Sequence, residues 1–539
     1  MWRWPSSRTI VAATAAVLFA ACCLLPIIYL LTVPLRGWPV GGDILSLDAR
    51  QQRLLWNTAL LGVGTALLAT VIGAPLGIAL ARVPLRGKAL LRVALAVPAL
   101  LPPYIVALAW TYLGGSRGLV ASVIGHDLLS EWTYSLPAAV VVLSLVFYPL
   151  SMLATEVALR RIDGRLEEAG VLVASAAVVL RRITIPLAAP AILAAALIIF
   201  VLAVSEFGVP GLLRVRVYTT EVFTAFAALY DFTRAIVVAL PLLLVCLTVA
   251  GVAVALVGER LVSGRRVSGA PPVLLDGWRR PAGAAAICAV AIASGIPLIV
   301  LVAEALGAES PQAVFEGSGP AIVNSLLLAA TGATAVVIVA AWLGYARARA
   351  GARVGRVADT LFIVVFAVPS TIVGVGLIGL WNRPGIFGAV YGTDAMFILG
   401  YLARFVPVAA LAIAAAIRYV PISHEEAASV SGAGWFRTMT QIVVPQIRVG
   451  LIAAWVIAFI LAFGELGVSI LIAPPGEATL PIRIYTIIAN TPPSHVAALA
   501  LLQATVILIP VALLAGAVAV RPSTRPQGVP SAVEGREAR

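Results

Sequence analysis

Two short acidic loops, a matched pair of carboxylates and one guanidinium are the side chains here best placed to do chemistry. The first loop reads Glu167-Glu168-Ala169 and then Ile183-x-Ile185-Pro186; the second reads Glu426-Ala427-Ala428-x-x-x-Gly432 and then Ile442-x-Val444-Pro445. Glu167 to Pro186 and Glu426 to Pro445 are both 19 positions. A carboxylate favours the positive end of a helix, Ala continues it, and Gly432 permits a sharp turn. Trp435, Phe436 and Arg437 are then expected at the surface. The prolines are expected to open the next apolar run, where a missing N–H costs little. The chemistry this predicts is recognition: a short helix along a membrane, pressing its exposed face into a groove of a soluble partner. Two copies predict two equivalent docking points.

The matched carboxylates are Glu206 and Glu465, each 20 residues after its loop proline and within Glu206-Phe207-Gly208-Val209 or Glu465-Leu466-Gly467-Val468. Ionisable groups in or near a bilayer are expensive and often functional. Three roles are open: lining the outer mouth of a path for a cationic substrate, sitting solvated at the interface, or bonding the backbone amides of the following turn. Arg404, inside an apolar run, is expected to bridge helices or pair with a carboxylate. Catalysis has no support. There is no Gly-x4-Gly-Lys-Ser/Thr phosphate loop, and His424-Glu425-Glu426 is not a zinc-binding His-Glu-x-x-His. With three His, and four Cys inside apolar runs, neither a metal site nor a resident cofactor is expected.

The elements that must position these groups follow from composition. The chain is 61% hydrophobic and 11% charged, too few charges to cover a soluble protein of 539 residues. Its apolar runs reach the roughly 20 residues that cross a bilayer. Twelve spans are predicted, near 10–33, 54–80, 90–113, 134–156, 187–210, 235–257, 282–306, 321–346, 357–381, 395–417, 446–473 and 496–520. The fold class is an all-α polytopic membrane protein, with Pro102-Pro103, Pro149 and Pro407 expected to kink or break their spans. With the N-terminus inside, 27 Lys and Arg fall on inner connections and 9 on outer ones. That bias orients the chain in a plasma membrane, both termini and both acidic loops cytoplasmic. The net charge of +13 is thus a topology signal, and no nucleic-acid partner is expected. The first span is read as retained rather than as a cleaved signal.

The halves repeat. Ala96-Val97-Pro98 with Trp110 recurs as Ala367-Val368-Pro369 with Trp381, and Asn57-Thr58 as Asn324-Ser325. An even number of spans per repeat gives both copies one orientation, about an axis along the membrane normal. The expected organisation is a first half over 1–257, a cytoplasmic linker over 258–281, a second half over 282–520 and a cytoplasmic tail over 521–539.

The loop pattern resembles the Glu-Ala-Ala-x3-Gly-x9-Ile-x-Leu-Pro signature of permeases of binding-protein-dependent ATP-binding cassette importers. The resemblance covers about 54–257 and 321–520. Two permeases fused in one chain, with Glu-Phe-Gly or Glu-Leu-Gly after each loop, look most like the iron(III) importers; thiamine, phosphonate and polyamine permeases are close relatives. The resemblance implies a coupling helix in each loop, docked on two copies of an ATP-binding subunit that carries ATP and Mg, and a periplasmic or lipid-anchored binding protein that delivers substrate. The first loop departs from the signature. In the register set by Pro186, Glu168 fills an Ala slot and Val173 the Gly slot; a one-residue slip puts Glu168 in the Glu slot and Ala174 in the Gly slot. Either way the Gly is missing. The rival of another class is a secondary transporter driven by an ion gradient, since parallel repeats occur there too.

Overall fold

The computed structural model describes residues 4–32, 49–116, 118–124, 129–229, 232–258, 275–308 and 310–519. Most of the expected linker (259–274) and the whole tail (521–539) lie outside these residues. Within them the apolar runs fold into long helices, because only internal hydrogen bonding satisfies a backbone in hydrocarbon. On α2 (Ala49–Arg82), Val63, Leu67 and Val71 form an exposed apolar stripe at helical spacing, the surface expected against lipid tails.

The other helices of the first half are α1 (Ile10–Thr32), α3 (Lys88–Ala96), α4 (Pro103–Gly114), α5 (Leu136–Arg160), α6 (Gly164–Val171), α7 (Ala176–Ser205), α8 (Gly208–Leu212), α9 (Tyr218–Phe223) and α10 (Phe232–Gly258). The second half repeats the series in order. It runs α11 (Arg279–Ala305), α12 (Gly319–Arg349), α13 (Ala352–Phe366), α14 (Ser370–Trp381), α15 (Ala395–Arg418), α16 (Ile422–Val430), α17 (Trp435–Phe463), α18 (Ser469–Ile472), α19 (Leu480–Ile487) and α20 (Pro493–Ala519). Among the described residues ten helices are long and apolar enough to cross a membrane, and up to twelve spans result if each bent pair counts as one.

The bent pairs are α3–α4, turned by 84°, and α13–α14, turned by 92°. Pro102 and Pro369 sit at the breaks with extended ψ of 130° and 139°, which ends one helix and starts the next. Pro149 and Pro407, expected to kink or break their spans, do not break them: both lie inside helices that continue through them. The proline ring removes one backbone bond there, and the packed neighbours hold the helix together. In each half α2, α5 and α7 (or α12, α15 and α17) pack on one another. Small residues allow the close approach: a Cβ on Gly77 would lie 2.4 Å from the Met152 carbonyl oxygen, and one on Gly344 3.0 Å from that of Ala410.

The halves interlock. Helix α1 packs on α12, α14 and α15 of the second half, while α11 packs on α3 and α4 of the first. Helix α10 touches α14, and α20 touches α4. Each broken pair is therefore clasped by helices of the other half, and one buried apolar cluster runs through both.

Candidate functional site

Both acidic loops fold as a short helix followed by a tight reversal into a long one. In the first, Asp163 caps α6, its Oδ1 accepting from Arg165 N–H at 3.1 Å. Glu167 is buried, and its Oε1 accepts from Arg82 Nη2 at 2.8 Å, Arg82 Nε at 3.1 Å and Thr184 Oγ1 at 2.9 Å. Arg82 ends α2 and also bonds the Leu159 carbonyl at 2.8 Å. In the second loop the buried carboxylate is Glu425. It accepts from Arg349 Nε at 2.8 Å on Oε1 and from Tyr345 Oη at 2.9 Å on Oε2, while Arg349 bonds the Val420 carbonyl at 3.1 Å. Arg349 ends α12 as Arg82 ends α2. Glu167 and Glu425 thus do the same work: each ties its loop helix to the end of the second span of its half.

This settles the register between the loops. Glu167, Glu168, Ala169 and Gly170 run buried, exposed, exposed, buried, and so do Glu425, Glu426, Ala427 and Ala428. Equal spacing to the proline pairs Glu167 with Glu426; the geometry pairs Glu167 with Glu425 and Glu168 with Glu426. The one-residue difference lies in the turns. Gly432 has φ +79°, with Ala433 N–H bonded to the Ala428 carbonyl and Gly432 N–H to that of Ser429, both within 3.0 Å. That is a left-handed helix stop favoured by glycine. In the first loop Ala174 N–H bonds the Gly170 carbonyl at 3.0 Å, a turn one residue shorter with no left-handed position. The missing Gly is a missing residue.

Three further expectations are revised. Pro186 and Pro445 do stand in the first turn of the stretches Ile185–Ser205 and Val444–Phe463, but these continue α7 and α17 from wide five-residue turns over Leu180–Thr184 and Met439–Val443, so the helices begin earlier. Such a turn re-routes bonds that a ring without N–H would otherwise break. Trp435 is turned inward against Trp342 and Tyr345, at ring distances of 5.0 and 5.8 Å. Helix α16 begins at Ile422, so Glu426 lies within it rather than at its start. What the loops do expose is apolar: Leu172 and Val173 are 86% and 88% exposed, Val430 and Phe436 89% and 74%. Such side chains on a polar loop mark a contact face.

The second constellation lies where α7 and α17 stop. Glu206 Oε1 accepts from Gly208 N–H at 2.9 Å, and Glu465 Oε1 from Val468 N–H at 2.9 Å. Both carboxylates therefore hold the turn that follows them. Arg404 Nη1 donates to the Val368 carbonyl at 2.7 Å at the α13–α14 break, and its Nε lies 3.9 Å from Glu465 Oε2. The two turns touch across the halves: the Cβ position of Gly208 is 2.8 Å from Tyr104 Cβ and 3.4 Å from Leu466 Cδ2. Tyr104 Oη donates to Gln503 Oε1 at 2.5 Å, and Gln503 Nε2 to the Phe463 carbonyl at 3.0 Å. The broken helices, the two Glu turns and Arg404 thus meet at the seam between the halves. Among the described residues no three His, Cys, Asp or Glu side chains converge as metal ligands.

Arg82, Thr184, Tyr345, Arg349, Glu425 and Gln503 escaped the sequence reading. The repeated Glu-Glu pair, aligned on itself rather than on the proline, is the signal that would have found Glu425.

The family model described as "Binding-protein-dependent transport system inner membrane component" matches residues 336–521. An Fe(3+)-transport system permease protein of Haemophilus influenzae is 24% identical over 473 residues, 86% of this chain and 89% of the relative. A ferric transport system permease protein of Actinobacillus pleuropneumoniae is 23% identical over 439 residues, 76% of this chain and 63% of its own length. The molybdenum transport system permease protein of Escherichia coli is 31% identical over 158 residues, 28% of this chain and 69% of its own length. With the two loops, the interlocked halves and these relatives together, the chain belongs to the family of binding-protein-dependent transport system inner membrane components.

Proposed function

We propose that this chain is the transmembrane subunit of an ATP-binding cassette importer that carries iron(III) into the cytoplasm, with residues 1–257 and 282–520 as its two permease halves. Helices α6 and α16 are its coupling helices, on the cytoplasmic side with both termini. Each docks on one of two copies of an ATP-binding subunit, where ATP and Mg are bound; a binding protein delivers cargo to the opposite face. The observation that carries this reading is the pairing of a rigid anchor with an exposed apolar face in both loops. Glu167 and Glu425 fasten the loop helices to α2 and α12, so a push on Leu172–Val173 or Val430–Phe436 moves a whole half. Glu168 and Glu426, exposed beside those residues, supply charge to the docking face, and Ala169, Ala427 and Ala428 keep the helices slim. Closure of the ATP-binding subunits then rocks the halves about the seam at Glu206, Glu465 and Arg404. Iron(III) as cargo rests on the ferric relatives, which align over most of this chain.

Isolation from native membranes in mild detergent, with mass spectrometry of the co-purifying chains, tests the coupling. A P-loop ATPase is expected with the natural protein and is expected to be lost with Glu426→Arg. Transport that persists without any ATPase and stops with an uncoupler would instead establish the gradient-driven carrier.

A further inference from the structure

At the end of the molecule opposite the loop helices, a cavity of about 960 Å³ opens beside the seam. Arg50 and Arg53 reach it from the start of α2, and Arg214 and Arg216 from the link between α8 and α9. Phe207, next to Glu206, and Tyr485 of the other half share its wall, their rings 5.4 Å apart. Among the described residues the one acidic side chain lining it, Glu221, is already engaged, with Arg50 Nη2 at 3.0 Å and Arg234 Nη2 at 3.7 Å. Among the described residues Arg53, Arg214 and Arg216 form no ion pair; the Arg214 guanidinium lies over the Tyr134 ring, 4.9 Å from its centre.

The fold does not require this charge. Thr58 Oγ1 accepts from Tyr218 N–H at 3.0 Å, and Ser325 Oγ accepts from Leu480 N–H in the same place of the second half. That match sets Arg214 against Gly476 and Arg216 against Ala478. Arg214 and Gly476 both have positive φ, 56° and 87°. Glycine is the unstrained residue there, and the first half holds an arginine instead. Clustered guanidiniums repel one another unless an anion lies among them, and their planar forks match oxyanions and carboxylates in two-point contacts.

We propose that this cavity is the entry site for cargo, and that the cargo arrives as an oxygen-rich polyanion rather than as a bare cation. This rests on the permease reading above, whose outer face the cavity occupies. Two sources share the chemistry, an anionic ferric chelate and a free oxyanion.

The permease, isolated with its co-purifying subunits and placed in lipid nanodiscs, is titrated with ferric citrate, iron-free citrate, inorganic phosphate and molybdate at constant chloride. Binding of at least one probe is expected, weakened tenfold or more in the double variant Arg53→Gln/Arg216→Gln and largely kept in Arg53→Lys/Arg216→Lys. Preference for ferric citrate over citrate identifies the chelate; preference for phosphate or molybdate identifies the oxyanion. The proposal is overturned if no probe binds the natural protein, or if the Gln variant binds as well. It is also overturned if the variant loses only capture of the binding protein, which makes the arginines a docking surface. Co-purification of the ATPase with each variant reports the fold. An ATPase present with no anion bound overturns this proposal alone; an ATPase absent from the natural protein overturns the permease reading.

Discussion

The two ends of the molecule treat the repeat differently. At the loop-helix end the halves share one arrangement: Arg82 with Glu167, Arg349 with Glu425, and the same order of buried and exposed positions. At the opposite end the same backbone carries unlike chemistry, with Arg214 and Arg216 where the other half has Gly476 and Ala478. Arg50 on α2 meets Glu221, whereas in the second half the arginine is on α19, Arg483, bonding the Gly317 carbonyl at 2.9 Å. Two identical partners would preserve symmetry at one end; a single asymmetric partner or cargo leaves the other free to diverge.

That contrast can be broken in graded steps. Glu167→Gln and Glu425→Gln leave Arg82 and Arg349 buried with no full counter-charge, a loss of about 3–5 kcal/mol each by analogy with other buried pairs. Thermal unfolding in detergent should show a lowered midpoint for both, and equal loss of ATPase recovery. If only one matters, the loops are not equivalent. Next in size, Leu172→Ala/Val173→Ala and Val430→Ala/Phe436→Ala should each weaken ATPase binding tenfold or more with little change in melting, because these side chains are exposed in the isolated chain. Gly432→Ala puts a Cβ at φ +79° and should lower stability by about 1 kcal/mol. The smallest effect is expected from a glycine inserted between Val173 and Ala174. It gives the first loop the turn of the second, and ATPase recovery should stay within about twofold; a large loss would show that the shorter turn is itself required.

The spans were legible because bilayer crossing writes itself as uninterrupted apolar length, and the breaks at Pro102 and Pro369 because proline opposes a helix locally. Pro149 and Pro407 do not end their helices: whether a helix survives a proline depends on what packs around it, which is not a local property. The loops were visible as a repeated pattern, yet their anchors were not. Arg82 and Glu167 are 85 residues apart and Arg349 and Glu425 are 76 apart, distances over which no spacing rule reaches. The register slipped by one because the two turns close over different numbers of residues, which a count to the proline absorbs silently.

The clasp formed by α1 bears on how the protein is made. The surface that receives this helix is built from α12, α14 and α15, which begin at Gly319, Ser370 and Ala395 and so leave the ribosome long after it. At roughly 5–20 residues per second the first helix waits about 15–80 s in the bilayer before all its partners exist. During that interval lipid stands where those partners will pack, and its own apolar length must help to hold it in place.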